Sequence, residues 1–524
     1  MAYIELIVWA LTAILIVVPA ASVRGENVVR WVSAVGMIRW EPTNLDDPTS
    51  TGLAQVYEGL TLTDSDLTLH PALATDWVLV RPDMWRFHLR PGVRFHDGTT
   101  LTARDVAFSL ERGRGKGSDY AIFITNVAAV TATADDTVEI TTKRPDLLLP
   151  VKLRRMPIIP EAWALRHGAA LPARLDDSSA YTFAHANGTG PFMLESFEPG
   201  RRTVLVRNPN WWGSAAYPRD IDRIVWTIET DPERRLALLV GGEADFLQDP
   251  PLDRLDRLRN TPGIKLTSMD VLSTVFLGLD LGSAELRTSD VKGRNPFADR
   301  RVRQAVYQAI DVAALVTKAV NGLGKPAGMM TAPGTNGYDP ELDRRLPYDP
   351  ERARALLAEA GYPGGFAVRL DCPPHRRSPC EEIAAQLAGV GLRVVADIPP
   401  YPVFRQRVTD RASDFYLSAD HPGMTLDSGE SFHDLYYQAR PHWLAAPGYA
   451  DPVTEGLIER IDGEVSTPVR DALIDQTWRR VLDDIVVVPL YHTVWVWAMR
   501  DWLDVPPHAL PWPLFRQARL ATSR

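Results

Sequence analysis

Cysteine is almost missing: the 524 residues hold two, Cys372 and Cys380, eight positions apart in DCPPHRRSPC. That excludes a disulfide-built scaffold and a metal centre made mainly of thiolates. A basic surplus is missing too. Lys and Arg number 57 against 66 Asp and Glu, and no basic stripe interleaved with aromatics occurs, so nucleic acid is not an expected partner. Past the N-terminus no apolar run approaches the roughly 20 residues that a bilayer span needs. The motifs G-x-S-x-G, P-loop, dinucleotide fingerprint and H-E-x-x-H are all lacking. Eleven histidines are scattered without ligand spacing; His421, His433 and His492 meet only if folding brings them together. No enzyme activity, metal or other cofactor is therefore expected.

What is present is the composition of a folded chain, 45% hydrophobic and 23% charged, with a modest net charge of −9. Its length predicts two or three substructures. Residues 6–18 (LIVWALTAILIVV), followed by PAAS, read as the core of a signal peptide, although Glu5 and no basic residue precede them. Export is expected, with cleavage between residues 20 and 25. In an exported protein Cys372 and Cys380 read as a short disulfide loop. Two free thiols, or half of a metal site, are the alternatives.

Local signals are clearest over residues 84–112. Trp85, Phe87 and Leu89 alternate with Arg86, His88 and Arg90, the period of a half-buried strand. Pro91-Gly92 breaks it, Val93 and Phe95 are expected to resume it, and His96-Asp97-Gly98 turns the chain. Thr102 with Asp105 three residues on reads as a helix start, and Gly113 as its stop. His88 and His96 are expected as surface or hydrogen-bonding residues. Residues 42–52 read as a loop and 53–60 as a helical turn. Asp299, Asp311 and Asp349-Pro350 are helix starts, each followed by apolar positions on one face. Helices alternating with strands predict an α/β chain.

Several segments together resemble the bacterial extracellular solute-binding proteins of family 5, which serve ABC importers for peptides and nickel. They are HPALATDW (70–77), FHLRPGVRFHDGTTLTARDVAFSLER (87–112), NGTGPF (187–192), RNPNWWG (207–213), GGEADF (241–246), NPFADRRVRQAVYQAIDVAALV (295–316) and YDPERARALLAEAGYP (348–363). They run through the chain in the family's order. The resemblance implies a two-lobe Venus-flytrap fold with an extra subdomain in the N-terminal lobe. Its expected boundaries are residues 26–269 for lobe I, with the subdomain at about 60–185, 270–490 for lobe II, and 491–524 for a return to lobe I.

By the same resemblance Asp97, Gly98 and Asp105 are turn and cap residues of a scaffold. Peptide-binding relatives hold the peptide's α-ammonium with an aspartate after a lobe II strand; Asp420 matches that position best and Asp427 second. Glu58, in VYEGL, matches a segment near the cleft, and Arg376 is a candidate for the peptide carboxylate. The implied function is a periplasmic protein that captures a di- or oligopeptide and delivers it to a membrane permease, acting as a monomer. A nickel chelate or other non-peptide solute is the alternative within the class, kept by His421 beside Asp420. An exported hydrolase is the alternative outside it.

Overall fold

A computed structural model describes residues 25–63, 67–174, 177–439, 442–510 and 512–521. The signal-peptide segment thus lies outside the described residues. Two long antiparallel strands, Ile264–Leu279 and Val487–Arg500, run through the middle of an eleven-stranded mixed sheet. Their Ile264 and Arg500 ends meet Phe246–Leu247, followed outward by Val28–Ser33, Arg223–Ile228, Arg202–Arg207 and Phe192–Glu198. Their Leu279 and Val487 ends meet Phe415–Asp420, then Ala367–Asp371 and Arg393–Asp397. One continuous sheet therefore carries both lobes.

The two halves are separated by a bulge. Asp270 pairs with Val494 and Thr274 with His492, so residues 271–273 face a single residue, Thr493, on the other strand. An extra run of residues bends a strand and interrupts its ladder, which makes this crossing the natural hinge between lobes.

Each lobe closes on its own apolar core. In lobe I, Trp31 stacks on Trp226 with ring centres 3.9 Å apart, and Phe246 meets Trp497 and Phe515 edge-on. Residues of the C-terminal segment, Leu503, Val505 and Phe515, belong to that core. In lobe II the pleat divides the strands between two cores. Val275, Leu277 and Leu417 pack against helices Arg300–Gln308, Val312–Ala319, Pro350–Glu359 and Arg377–Ala388. The intervening Phe276 and Tyr416 pack against Ser428–Leu435, Pro452–Gly463 and Thr467–Asp484.

A four-stranded antiparallel sheet, ordered Ala74–Arg81, Met84–Leu89, Thr137–Thr142, Val127–Ala134, forms a separate small unit under helix Ala103–Gly113. Trp85, Phe87 and Leu89 are buried in it and Arg86 and His88 are not, the alternation read from the sequence. The Asp105 carboxylate accepts from the Thr102 amide and hydroxyl, each at 2.8 Å, at the helix start.

Three local expectations change. Val93 and Phe95 are buried, but their segment forms only an isolated bridge, Arg94 to Thr100, because the turn at Gly98 follows too soon for a ladder. Residues 47–52 belong to a helix, Asp47–Val56, that Asp46 caps by accepting the Thr49 amide at 3.0 Å. Their polar composition imitates a loop, while Asp-Asp-Pro is a helix-start signature. The span between the cysteines is less a loop than a turn, Pro374–Arg376, running into helix Arg377–Ala388. Cys372 and Cys380 are joined as a disulfide and fully buried in lobe II.

Candidate functional site

Strand Phe415–Asp420 is buried at all six positions, and it ends at Asp420, whose partner across the sheet is Thr274 at the hinge bulge. A carboxyl there leaves water without leaving the junction of the lobes. Its Oδ2 accepts from the Ser431 hydroxyl at 2.5 Å, the His421 amide and the Asp434 carboxyl also reach the carboxyl group, and no cationic side chain pairs with it among the described residues. Ser431 is presented by helix Ser428–Leu435, and the same helix brings Glu430 and Asp434, one turn apart. Glu430 accepts the Thr425 amide and hydroxyl, each at 2.8 Å, which fixes the loop that follows Asp420.

Removal from water raises all three acids. Asp420 is pushed up to about 6. Glu430 is pushed up to about 7, first by burial and further by the Asp420 charge. Asp434 rises well above the usual carboxylate range by burial and by the charges of Asp420 and Glu430, and it sits close enough to Asp420 to share a proton. Carboxyls this close and this dry do not all ionise together; they hold protons that an arriving cation displaces.

The other sequence candidates have different surroundings. Asp427 caps helix Ser428–Leu435 through the Gly429 amide at 2.7 Å, and Arg470 grips both its oxygens at 2.6 and 2.7 Å. Asn336 adds a further bond at 2.8 Å. No lone pair is left for a solute to seek, so Asp427 reads as a structural ion pair beside an open groove of about 560 Å³. Glu58 is similarly engaged: Oε1 accepts from Trp211 at 3.0 Å, and Oε2 from Trp212 and Thr189, each at 2.8 Å. One carboxylate thereby ties VYEGL to RNPNWWG and NGTGPF. A side chain at Gly190 would place its Cβ 2.6 Å from the Val56 carbonyl oxygen, which accounts for a glycine at that junction. Arg376 stands beside the Tyr491 hydroxyl and near His421, the residue after Asp420.

The lobes touch across the cleft. Arg154 donates to the carbonyls of Gly423 and Met424, and Arg155 reaches the Met424 sulfur at 3.0 Å. Leu272, Leu426, Leu510 and Trp512 pack together beside them. Sequence reasoning named none of Glu430, Ser431, Asp434, Arg154 or Arg155. A Glu and an Asp four apart on a capped helix are a legible like-charge pair, but only the fold shows that they face a third carboxyl.

Residues 68–441 match the family described as bacterial extracellular solute-binding proteins, family 5, middle region. The chain belongs to this family. It is a solute-binding protein of the ABC-importer class, not an enzyme. This family 5 protein is 26% identical over 441 residues to the heme-binding protein A of Haemophilus influenzae, across 77% of its own length and 75% of that protein's. It is 29% identical over 368 residues to the glutathione-binding protein GsiB of Pectobacterium atrosepticum, across 68% of its length and 66% of that protein's. Among solved structures it resembles the ABC transporter-associated periplasmic binding protein DppA from Helicobacter pylori in complex with the peptide STSA. The TM-score is 0.76 at 20% identity, covering 95% of this chain and 98% of that one. The two-lobe periplasmic-binding-protein fold is thereby shown.

Proposed function

We propose that this protein captures a di- or oligopeptide in the periplasm and delivers it, as a monomer, to an inner-membrane ABC permease, with Asp420 as the partner of the peptide's ammonium group. The observation that carries the reading is the Asp420 carboxyl, fully buried at the hinge beside Glu430 and Asp434 and with no cationic side chain paired to it among the described residues. A buried carboxylate with no countercharge is costly to ionise, and a charge-assisted bond from an ammonium supplies that charge. The solute therefore stabilises the closed arrangement of the lobes by contacts that the open one lacks, which is what drives closure. Relatives named for glutathione and a structure named for a peptide complex support a solute with an amino end.

Calorimetric titration of Ala-Ala and N-acetyl-Ala-Ala tests the reading. Acetylation of the peptide and Asp420→Asn in the protein are each expected to weaken binding at least ~100-fold, the loss typical of one partner of a buried charge pair. Equal affinity for the free and the acetylated peptide sinks the ammonium assignment.

A further inference from the structure

A second feature lies on the lobe I side of the cleft. A cavity with about 100 Å³ of water-sized free space is lined by Arg154, Arg155, Arg516, His508, Glu58 and Trp512, among others. That space is enough for several waters or for one carboxylate or phosphoryl group. Three guanidinium groups border it, and among the described residues none is ion-paired to a carboxylate. Arg154 has carbonyl partners only, at Val151, Gly423 and Met424, and its Nε is buried with no acceptor. Arg155 donates to the Ser50 hydroxyl at 3.2 Å and to the Met424 sulfur, and it stacks 4.5 Å above Trp512. The Arg516 Nε is likewise buried and without an acceptor, its guanidinium 5.8 Å from the Tyr217 ring. Glu58, the one carboxylate lining the cavity among the described residues, has both oxygens taken by Trp211, Trp212 and Thr189. A buried cation is ordinarily paired, and one that is not, Arg154, joined around one hollow by the half-buried Arg155 and Arg516 with no carboxylate partner among the described residues, describes a receptor for negative charge.

The cavity is also placed to serve the same solute as Asp420. The loop of residues 423–425 is held from one side by Glu430 of the acidic cluster and from the other by Arg154 of the cavity wall. Acidic and basic pockets thus flank a short loop that begins three residues after Asp420. We infer that the lobe I cavity receives an anionic group of the solute, a carboxylate in the first instance, so that the protein selects dipolar solutes with an amino end at Asp420 and an acidic end among Arg154, Arg155 and Arg516. This assignment rests on the reading of Asp420 given above only for the statement that both ends belong to one molecule.

Arg516 is the residue to change, because among the described residues its guanidinium donates no hydrogen bond that folding needs. Ala-Ala and its C-terminal amide, Ala-Ala-NH₂, share the ammonium and differ in the anionic end. Wild-type protein is expected to bind the acid at least ~10-fold more tightly than the amide, the worth of one charge-assisted bond. In Arg516→Gln the two are expected to bind within about twofold of each other, and Arg516→Lys is expected to restore part of the preference. Inorganic phosphate, at constant ionic strength, is expected to raise the melting temperature of wild type and of Asp420→Asn, and not that of Arg516→Gln. Stabilisation by phosphate in that pattern with no binding of either peptide upholds the cavity and removes the peptide reading. Acid and amide bound alike by wild type, with no phosphate effect on melting, overturn the inference.

Discussion

At the scale of single residues, the contrast is between carboxyls satisfied within the scaffold and one that meets only neutral donors and other acids. Asp427, the second choice for the ammonium, and Glu58, a cleft candidate, stand behind Asp420 in the sequence; their partners make them parts of the scaffold. Glu58 shows how much scaffold one residue can carry. Glu58→Ala leaves two indole N–H groups and the Thr189 hydroxyl without their acceptor. Orphaned buried donors cost about 1–3 kcal/mol each. Urea unfolding is expected to show a loss of ~2–4 kcal/mol, since part of the cost is relieved by water from the adjoining cavity. A loss below ~1 kcal/mol refutes the scaffold role.

At the scale of elements, helix Ser428–Leu435 does most to build the site. Its start is set by Asp427, its Ser431 reaches Asp420, and its Glu430 orders the loop toward lobe I. Asp427 also joins it to helix Thr467–Asp484 through Arg470, whose side chain is 5% exposed against 1% for the acid. Removing one member of a buried pair leaves the other charge stranded at a cost of ~3–5 kcal/mol. Asp427→Ala is expected to lose that much stability in equilibrium unfolding. Because the helix then positions Ser431 and Glu430 less well, Ala-Ala affinity is expected to fall as well, by less than in Asp420→Asn. Unchanged stability contradicts the role assigned to the pair.

At the scale of the whole molecule, binding and protonation are linked through the acidic cluster. In the free protein Asp420 and Glu430 titrate at about 6 and about 7, above their ordinary values of 3.8 and 4.5. Protons are therefore held more tightly by the fold than by the unfolded chain. The stability these two groups contribute is fully present below the ordinary values and is lost as pH rises through 6 to 7. A bound ammonium works in the opposite sense, since it needs the carboxylate. Affinity for Ala-Ala is expected to be greatest near pH 7, to fall as pH drops through 6, and to fall again above about 8 as the peptide's own ammonium loses its proton. Titrations in buffers of different ionisation heat are expected to detect proton release on binding. Uptake of protons, or affinity that rises as pH drops through 6, contradicts the arrangement.

Much of this protein is determined by local sequence. The alternation at Trp85–Leu89 and the starts at Thr102, Asp299 and Asp349 depend on contacts only a few residues long, and the structure has them where the pattern puts them. The glycines and tryptophans that mark the family serve the same legible end, since Gly190, Trp211 and Trp212 are packing positions around Glu58. The helix Asp47–Val56 was hidden only because its first turn is as polar as a loop. The site obeys another rule. Whether an aspartate is a cap, an ion pair or an open acceptor depends on which distant donors reach it. Asp427 meets Arg470 across 43 positions of sequence, while Arg154 meets Met424 across 270. Desolvation has no sequence signature either: Asp420 is an ordinary acid in a polar string until a six-residue strand buries it at the hinge. Composition and periodicity decide the elements because their energies are local. The partners and the dryness that turn a few of those side chains into a binding site are decided by tertiary packing alone.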